Sequence, residues 1–233
     1  MKVQQGFTLI ELAIVLVIVT ILVGGLAMPL SAQIQARRIA ETRADMRAIQ
    51  DALIGFAMRQ PAGKPHLPCP DNDGNGDEDP RGADDMCLRI RGGLPWRTLG
   101  IDEADAWGSR YTYAVSKLFT NNVTGFTALQ DGNLDVNKSS SCTSDGMTDV
   151  AVVIISHGPN GRGAQNMNGG TPLAPASVPA DERANLPTST AAPCNVEGFV
   201  SHAPNQDFDD LVLWLHPNIL RDRLCRGGCP LTP

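Results

Sequence analysis

Residues 6–30 read GFTLIELAIVLVIVTILVGGLAMPL and form the longest apolar run of the chain. No charged residue occurs from Leu12 to Ala36, and an apolar helix of about 20 residues is long enough to span a bilayer. One carboxylate, Glu11, interrupts the run near its start. Because an unpaired carboxylate is costly to place in apolar surroundings, we expect Glu11 to have a cationic partner and a functional role.

This stretch resembles the class III signal sequence of type IV pilins and of the pseudopilins of type II secretion. The resemblance rests on a short polar leader, the motif Gly6-Phe7-Thr8-Leu9-Ile10-Glu11 and the Leu/Ile/Val run behind it. It implies that a prepilin peptidase cuts after Gly6 and that Phe7 is then N-methylated. It also implies that Glu11 pairs with the terminal amine of a neighbouring subunit during filament assembly. The implied partners are other pilin or pseudopilin subunits, an inner-membrane assembly platform and an assembly ATPase.

Two other interpretations of the apolar run stay open. An ordinary secretory signal would end at a small-residue cleavage site, which residues 27–32 match poorly. A plain signal anchor would carry Glu11 incidentally. The flanking charges do not decide the orientation, because Lys2 precedes the run and three arginines follow it within residues 37–43.

The composition predicts one loop-rich domain beyond the apolar run. The 233 residues leave enough chain for one domain with a core once an anchoring helix is subtracted. The 23 glycines and 17 prolines, with few aromatic residues, indicate a small core and long loops. A formal net charge of -6 does not favour nucleic-acid binding.

All six cysteines follow the apolar run. An even number in loop-rich sequence predicts disulfides in an oxidising compartment, whereas the absence of a C-x-x-C pair argues against zinc. Six cysteines allow 15 pairings. By proximity in the sequence we predict the pairs Cys69 with Cys87, Cys142 with Cys194 and Cys225 with Cys229.

The predicted fold is α+β and pilin-like, with one long amino-terminal helix packed on an antiparallel sheet of about four strands. We divide the chain into a leader (1–6), a transmembrane or assembly helix (7–30), an amphipathic helix (31–60) and a globular domain (61–233). Alternation and β-branched residues predict strands at 110–115, 149–155 and 210–215, and a weaker one at 124–129. Residues 61–109 and 158–204 are predicted as mostly loop. The amphipathic helix should bury a stripe of residues spaced three or four apart, namely Ile39, Thr42, Met46, Ile49, Leu53 and Phe56.

A second, partial resemblance concerns the major pseudopilins. Residues 105–113, DAWGSRYTY, are similar to the Asp-Pro-Trp-Gly-x-x-Tyr-x-Tyr segment of that subfamily, with Ala106 in place of proline. The loop SHGPNG at 156–161 and the strand entry DDLV at 209–212 also resemble it. The resemblance implies a calcium site formed by Asp207, Asp209 and Asp210. Major pseudopilins are shorter and generally lack six cysteines, so the choice between this subunit and a minor pilin stays open.

Residues 71–79, DNDGNGDED, are the best candidate metal site outside the helix. Oxygen ligands at alternate positions, a glycine at the sixth position and an acid at the ninth reproduce the front of a calcium loop. The twelfth position is Gly82, so the bidentate glutamate of an EF-hand is missing. The alternative is a solvated acidic loop. The predicted calcium ligands are Asp71, Asp73, Asn75, Asp77 and Asp79.

The sequence offers little support for an enzyme. The four histidines share no metal-ligand spacing, and Ser156 next to His157 does not by itself make a nucleophile and base. We therefore predict a structural filament subunit, held in the bacterial inner membrane with a periplasmic domain and later in a filament in the periplasm or at the cell surface. The alternatives are a minor pilin that binds a ligand or surface, and a membrane-anchored periplasmic enzyme.

Overall fold

The computed structural model describes residues 6–61, 64–141, 146–167, 177–187 and 198–224, without the side chains of residues 23–29. Its longest element is helix α1, Leu9–Met58, of 50 residues. The chain divides into two compact units, Met1–Ala40 and Glu41–Pro233, and α1 contributes residues to both. None of the helices, taken over the residues that the structure describes, combines the length and the apolar character that crossing a bilayer requires.

In the second unit, α1 buries the stripe that its sequence predicts. Five of the six stripe residues are buried, and only Ile39, in the first unit, is partly exposed. The helix ends at Met58, two residues before the predicted end, and the N–H groups of Arg59 and Gln60 still bond carbonyls of the last turn. Pro61 follows, which cannot continue the hydrogen-bond pattern of a helix.

Within the described part of the chain, seven strands form two sheets. The first sheet is antiparallel with the order β1-β2-β5-β7, and its strands are β1 Arg91–Gly93, β2 Thr112–Val115, β5 Val152–Ser156 and β7 Leu211–Leu215. The second sheet has the order β4-β3-β6, with β3 Leu134–Asn137 antiparallel to β4 Met147–Val150 and parallel to β6 Gly198–Val200. The other helices that lie wholly in the described residues are α2 Trp96–Leu99, the 3-10 helix Lys117–Phe119, α3 Ala180–Ala184 and α4 Pro217–Leu224.

The central strands β2 and β5 are buried along their whole length. On one face, Ala114, Val153 and Ile155 pack in a common core with residues of the second sheet, among them Phe199. Because side chains alternate along a strand, Tyr113 and Ile154 lie on the opposite face, and α1 lies beside this sheet, with Met46 near Leu211 and Ile49 near Tyr111. The pilin-like α+β arrangement of a long helix on an antiparallel sheet is therefore confirmed.

Three of the predicted strands are present, and the fourth prediction is wrong. Residues 124–129 form turns, because Gly125 packs against the backbone of Lys64 and Phe126 donates its N–H to the carbonyl of Pro65 instead of to a strand. The fourth strand is β1, in a segment predicted as loop. Gly93 exchanges backbone hydrogen bonds with Asp71, an approach that a side chain at this position would obstruct.

The predicted strand at 149–155 is divided between the two sheets. It comprises the end of β4 and β5 up to Ile155, with Ala151 between them and Asp149 at a φ of 60°. The second sheet was not predicted. Its strand β6, and helix α3, lie within the long predicted loop at 158–204, whose residues 168–176 and 188–197 are outside the described part.

Of the three predicted disulfides, Cys69–Cys87 is confirmed, with a Cα–Cα distance of 5.4 Å. Both half-cystines are buried. Cys142, Cys194, Cys225 and Cys229 lie outside the described residues.

Candidate functional site

The amino-terminal motif forms a capped helix start. Thr8 immediately precedes α1, and both its N–H and its hydroxyl donate to Glu11 Oε2, at 2.9 and 2.8 Å. The N–H of Glu11 lies 3.4 Å from Thr8 Oγ1 in return. This reciprocal pair is a capping box, in which two helix-start N–H groups that lack partners within the helix are both bonded. Gly6 and Phe7 precede the helix and are exposed, so the bond between them is accessible.

The acidic loop at 71–79 wraps around one buried carboxylate. Asp71 is 4% exposed and accepts the N–H groups of Gly74 and Gly76 at 2.7 and 2.8 Å. Both glycines have positive φ, which lets the chain turn tightly around the carboxylate. Burial raises the pKa of Asp71, and the two N–H groups oppose that rise. The fold therefore holds one carboxylate inside a tight loop.

Three of the five predicted ligands converge in this loop. Carboxylate oxygens of Asp71, Asp73 and Asp79 lie within 4.8 Å of one another, close enough to share one cation. Asp77 lies outside this group and faces Arg97 at 3.7 Å. The side-chain oxygen of Asn75 accepts the N–H of Asp77, so this amide holds the loop's shape.

A second acidic cluster lies at the entry to β7. Carboxylate oxygens of Glu182, Asp209 and Asp210 are within 4.8 Å of one another, and Glu182 and Asp210 are buried. Each of the three carboxylates keeps one oxygen without a hydrogen-bond donor among the described residues. Burial raises the pKa of Asp209 to about 6, and the neighbouring charges of Glu182 and Asp210 add to that rise. Three adjoining carboxylates, two of them buried and Asp209 partly buried, repel one another when ionised, so this cluster favours a cation.

Two asparagines, Arg162 and His157 surround this cluster, and Nδ1 of His157 lies 3.6 Å from Asp210 Oδ1. Asn160 bonds Glu182 Oε1 through its side chain at 2.7 Å and Asp209 Oδ2 through its backbone at 3.1 Å. Asn185 donates to Asp210 Oδ2 at 2.8 Å. The nearest described guanidinium, that of Arg162, is 3.5 Å from Glu182 Oε2. Of the residues predicted here, Asp209 and Asp210 converge, whereas Asp207 is exposed and outside the cluster.

Glu182, the third member, was missed by sequence reasoning. It lies in α3, within a segment predicted as loop, and reaches the cluster only through the tertiary fold. Glu182 follows Asp181 in the sequence ADERA, and two adjacent acids in a helix carry no metal-ligand spacing. Thr8 was quoted as part of the motif, but its role as the hydrogen-bond partner of Glu11 was also missed. A Thr-x-x-Glu spacing at a helix start could have identified it.

Ser156 and His157 do not form a catalytic pair. Ser156 donates to Asp105 Oδ2 at 2.6 Å, whereas His157 Nε2 lies 2.8 Å from Thr112 Oγ1. Both side chains have no exposed surface. Their hydrogen bonds hold the β5 end against neighbouring elements.

Comparison with known families gives a match at residues 1–27, to the prokaryotic N-terminal methylation motif. The chain carries an N-terminal methylation motif. Neither the comparison with curated proteins nor the comparison with solved structures gives a match.

The methylation motif implies processing by a prepilin peptidase and a pilin or pseudopilin role. It indicates a structural protein rather than an enzyme, with other pilins as partners. It also implies anchoring in the inner membrane through the amino-terminal helix, with the following domain in the periplasm. The capped start of α1 and the exposed Gly6–Phe7 bond lie inside this motif.

Proposed function

We propose that the protein is a structural subunit of a type IV pilus-like filament or of a type II secretion pseudopilus. The observation that carries the proposal is the methylation motif, in which the exposed Gly6–Phe7 bond directly precedes a helix whose first turn holds Glu11. Cleavage at this bond leaves a new amine at Phe7, one residue from the Thr8–Glu11 capping box. The prepilin peptidase cuts, Phe7 is N-methylated, and the subunit joins the filament through α1.

Glu11 pairs, in this proposal, with the amine of Phe7 in a neighbouring subunit. Apolar helix surfaces are already accommodated by lipid, so a polar contact between helices is needed to favour the filament over the bilayer. A carboxylate and an amine that are both placed in apolar surroundings each offset the other's loss of solvation.

The test starts with intact mass and amino-terminal sequencing of the membrane-extracted protein, with and without prepilin peptidase. We expect a chain that begins at N-methyl Phe7 only when the peptidase is present. A chain that still begins at Met1 would contradict the proposal. Filament yield after shearing is then compared for Glu11→Ala and Thr8→Ser.

We expect Glu11→Ala to be processed normally but to assemble poorly, because the partner of the neighbour's amine is gone. Thr8→Ser keeps the capping hydroxyl and should assemble like the unmodified chain. Unchanged filaments from Glu11→Ala would refute the pairing role without refuting the processing.

We further propose that calcium binds the Glu182, Asp209 and Asp210 cluster, and also the loop at 71–79. The observation that favours the first site is the set of carboxylate oxygens without donors. Calcium takes six to eight oxygen ligands, and here it would tie α3 to the entry of β7. Asp71, Asp73 and Asp79 would hold the ion in the loop.

Calorimetry with calcium separates the two sites. We expect Asp209→Asn to remove binding at the cluster and Asp73→Asn to weaken binding at the loop, each leaving the other site intact. No heat of binding at millimolar calcium in the unmodified protein would contradict both sites.

A further inference from the structure

A cleft beside α1 is lined by two carboxylates that form no ion pair with a described side chain. It lies between α1 and the segment at 100–104, has a volume of about 300 Å³, and is lined by Asp45, Ile49, Asp102 and Tyr111, among others. No described residue forms an ion pair or hydrogen bond with the carboxylate of Asp45 or Asp102. We call this region the acidic cleft.

The floor of the acidic cleft holds a buried hydroxyl without a partner. Tyr111 is 2% exposed, and its hydroxyl has no hydrogen-bond partner among the described residues. The charges that act on it come from Asp45, Asp105, Asp102 and Glu41, all acids, and together with burial they raise its pKa. Burial and the same kind of acidic neighbours raise the pKa of Asp45. The cleft therefore offers a hydrogen-bonding oxygen and two carboxylates to a positively charged group.

The same helix carries unpaired arginines on its other flank. Arg43 and Arg47 are exposed, and neither forms an ion pair with a described residue. With Met46 they line a groove between α1 and residues 211–213 of β7, which we call the basic groove. The carboxylate that lines this groove, Asp210, is buried and already bonded by Asn185. His202, which also lines it, lies 3.2 Å from Asp181.

Helix geometry separates the two regions. At 3.6 residues per turn, Arg43 and Arg47 lie together on one side of the buried stripe, and Asp45 and Ala48 lie on the other. The second unit therefore presents a negative surface and a positive surface on opposite flanks of one helix. Surfaces that are complementary to each other but not to themselves favour a head-to-tail contact, which repeats into an open helical assembly rather than a closed dimer.

We propose that the acidic cleft of one copy receives Arg43 and Arg47 of the next copy. The guanidinium groups of Arg43 and Arg47 donate hydrogen bonds to the carboxylates of Asp45 and Asp102. The hydroxyl of Tyr111 lies at the floor of the cleft. This inference rests on the proposed filament function and assigns one lateral contact of that filament to named residues.

Reversing the charge on each surface tests the contact in the full-length chain, expressed with prepilin peptidase and the assembly machinery. One variant is Asp45→Arg with Asp102→Arg, and the other is Arg43→Asp with Arg47→Asp. Each alone brings like charges together, and we expect its sheared filament yield to fall by about tenfold or more. When the two variants are expressed together, the reversed cleft of one variant meets the reversed helix flank of the other. We then expect the yield to return to within about twofold of the unmodified chain.

Rescue by co-expression distinguishes a contact from a folding defect, because a misfolded chain is not restored by a second variant. Asp51→Arg, an exposed acid of α1 outside both surfaces, is the matched control and should leave the yield unchanged. Filaments unaffected by either reversal, or two variants that assemble no better together than alone, would overturn the contact and leave the filament function standing. A processed, unmodified chain that forms no filament would overturn both.

Discussion

Glycine has opposite roles at two positions of this chain. Gly76 has a φ of +87°, and a β-carbon there would overlap the ring of Trp96. Gly55 lies in the last turn of α1, where a β-carbon would meet only the flexible end of Arg59 at 3.7 Å. The first glycine is therefore required by the turn, whereas the second weakens its helix.

We expect Gly76→Ala to lower the free energy of unfolding by about 2 kcal/mol or more, through backbone strain and overlap. Gly55→Ala should raise it by about 0.5–1 kcal/mol, because alanine restricts the unfolded chain and favours the helix. Urea unfolding of the detergent-solubilised protein measures both. Equal effects of the two substitutions would contradict this assignment.

The buried side chain of His66 makes the stability of the folded protein depend on pH. Its ring packs edge-on against Phe56, Nδ1 lies 3.0 Å from the carbonyl of Lys64, and burial lowers its pKa below the ordinary 6.5. As the pH falls below about 6.5, the unfolded chain takes up this proton before the folded one does, so stability falls. We expect His66→Gln to reduce the loss of stability between pH 7.5 and pH 5, measured by urea unfolding at each pH. The same loss in both proteins would contradict the role of His66.

Arg91 joins elements that belong to different sheets. From β1 its guanidinium donates to the carbonyls of Ala184, Leu186 and Gly198, at 2.8, 3.3 and 3.1 Å. It also lies 3.9 Å above the ring of Phe199 in β6. One side chain thus bonds carbonyls in and after α3 and in the second sheet.

We expect Arg91→Met to destabilise the protein by about 2–3 kcal/mol, because it leaves these carbonyls without donors and removes the cation from the ring. Arg91→Lys should keep only part of this stability, since a single ammonium group cannot bond three carbonyls in the planar geometry of a guanidinium. Arg89→Met, an exposed arginine two residues earlier, is the control and should change stability by less than about 0.5 kcal/mol. Equal effects at both positions, measured by urea unfolding, would show that Arg91 does not hold the sheets.

On the scale of the whole molecule, the Cys69–Cys87 disulfide encloses the acidic loop. The bridge spans a sequence separation of 18, and residues 71–79 lie inside it. Arg81, also inside, bonds the carbonyls of Leu67 and Thr120. The bridge therefore closes a covalent loop around the acidic segment, and Arg81 bonds this loop to residues outside it.

We expect the double variant Cys69→Ser with Cys87→Ser to lose about 3 kcal/mol of stability, because the unfolded chain gains the freedom of an open loop. Calcium affinity at the loop should fall with it, whereas affinity at the Glu182 cluster should not. Thermal unfolding and calorimetry measure the two effects. An unchanged melting temperature would contradict a stabilising role for this bridge.

Local sequence patterns were enough to predict the features that depend on residues close together in the chain. The stripe from Thr42 to Phe56 identified the buried face of α1 because helical periodicity is a property of the chain itself. The β-branched run predicted β5, and the short separation of Cys69 from Cys87 predicted their disulfide. By contrast, β1 is made of Arg-Gly-Gly and has no strand signal, so only its pairing with β2 makes it a strand.

By itself, the sequence determined the processing motif, the long helix, most of the first sheet and the acidic loop, because each depends on residues close together in the chain. Only the tertiary structure decided which distant residues meet: Glu182 with Asp209 and Asp210, Arg91 with the carbonyl of Gly198, and Asp45 with Asp102. Such contacts carry no local signal, since they arise from the packing of whole elements around a shared core.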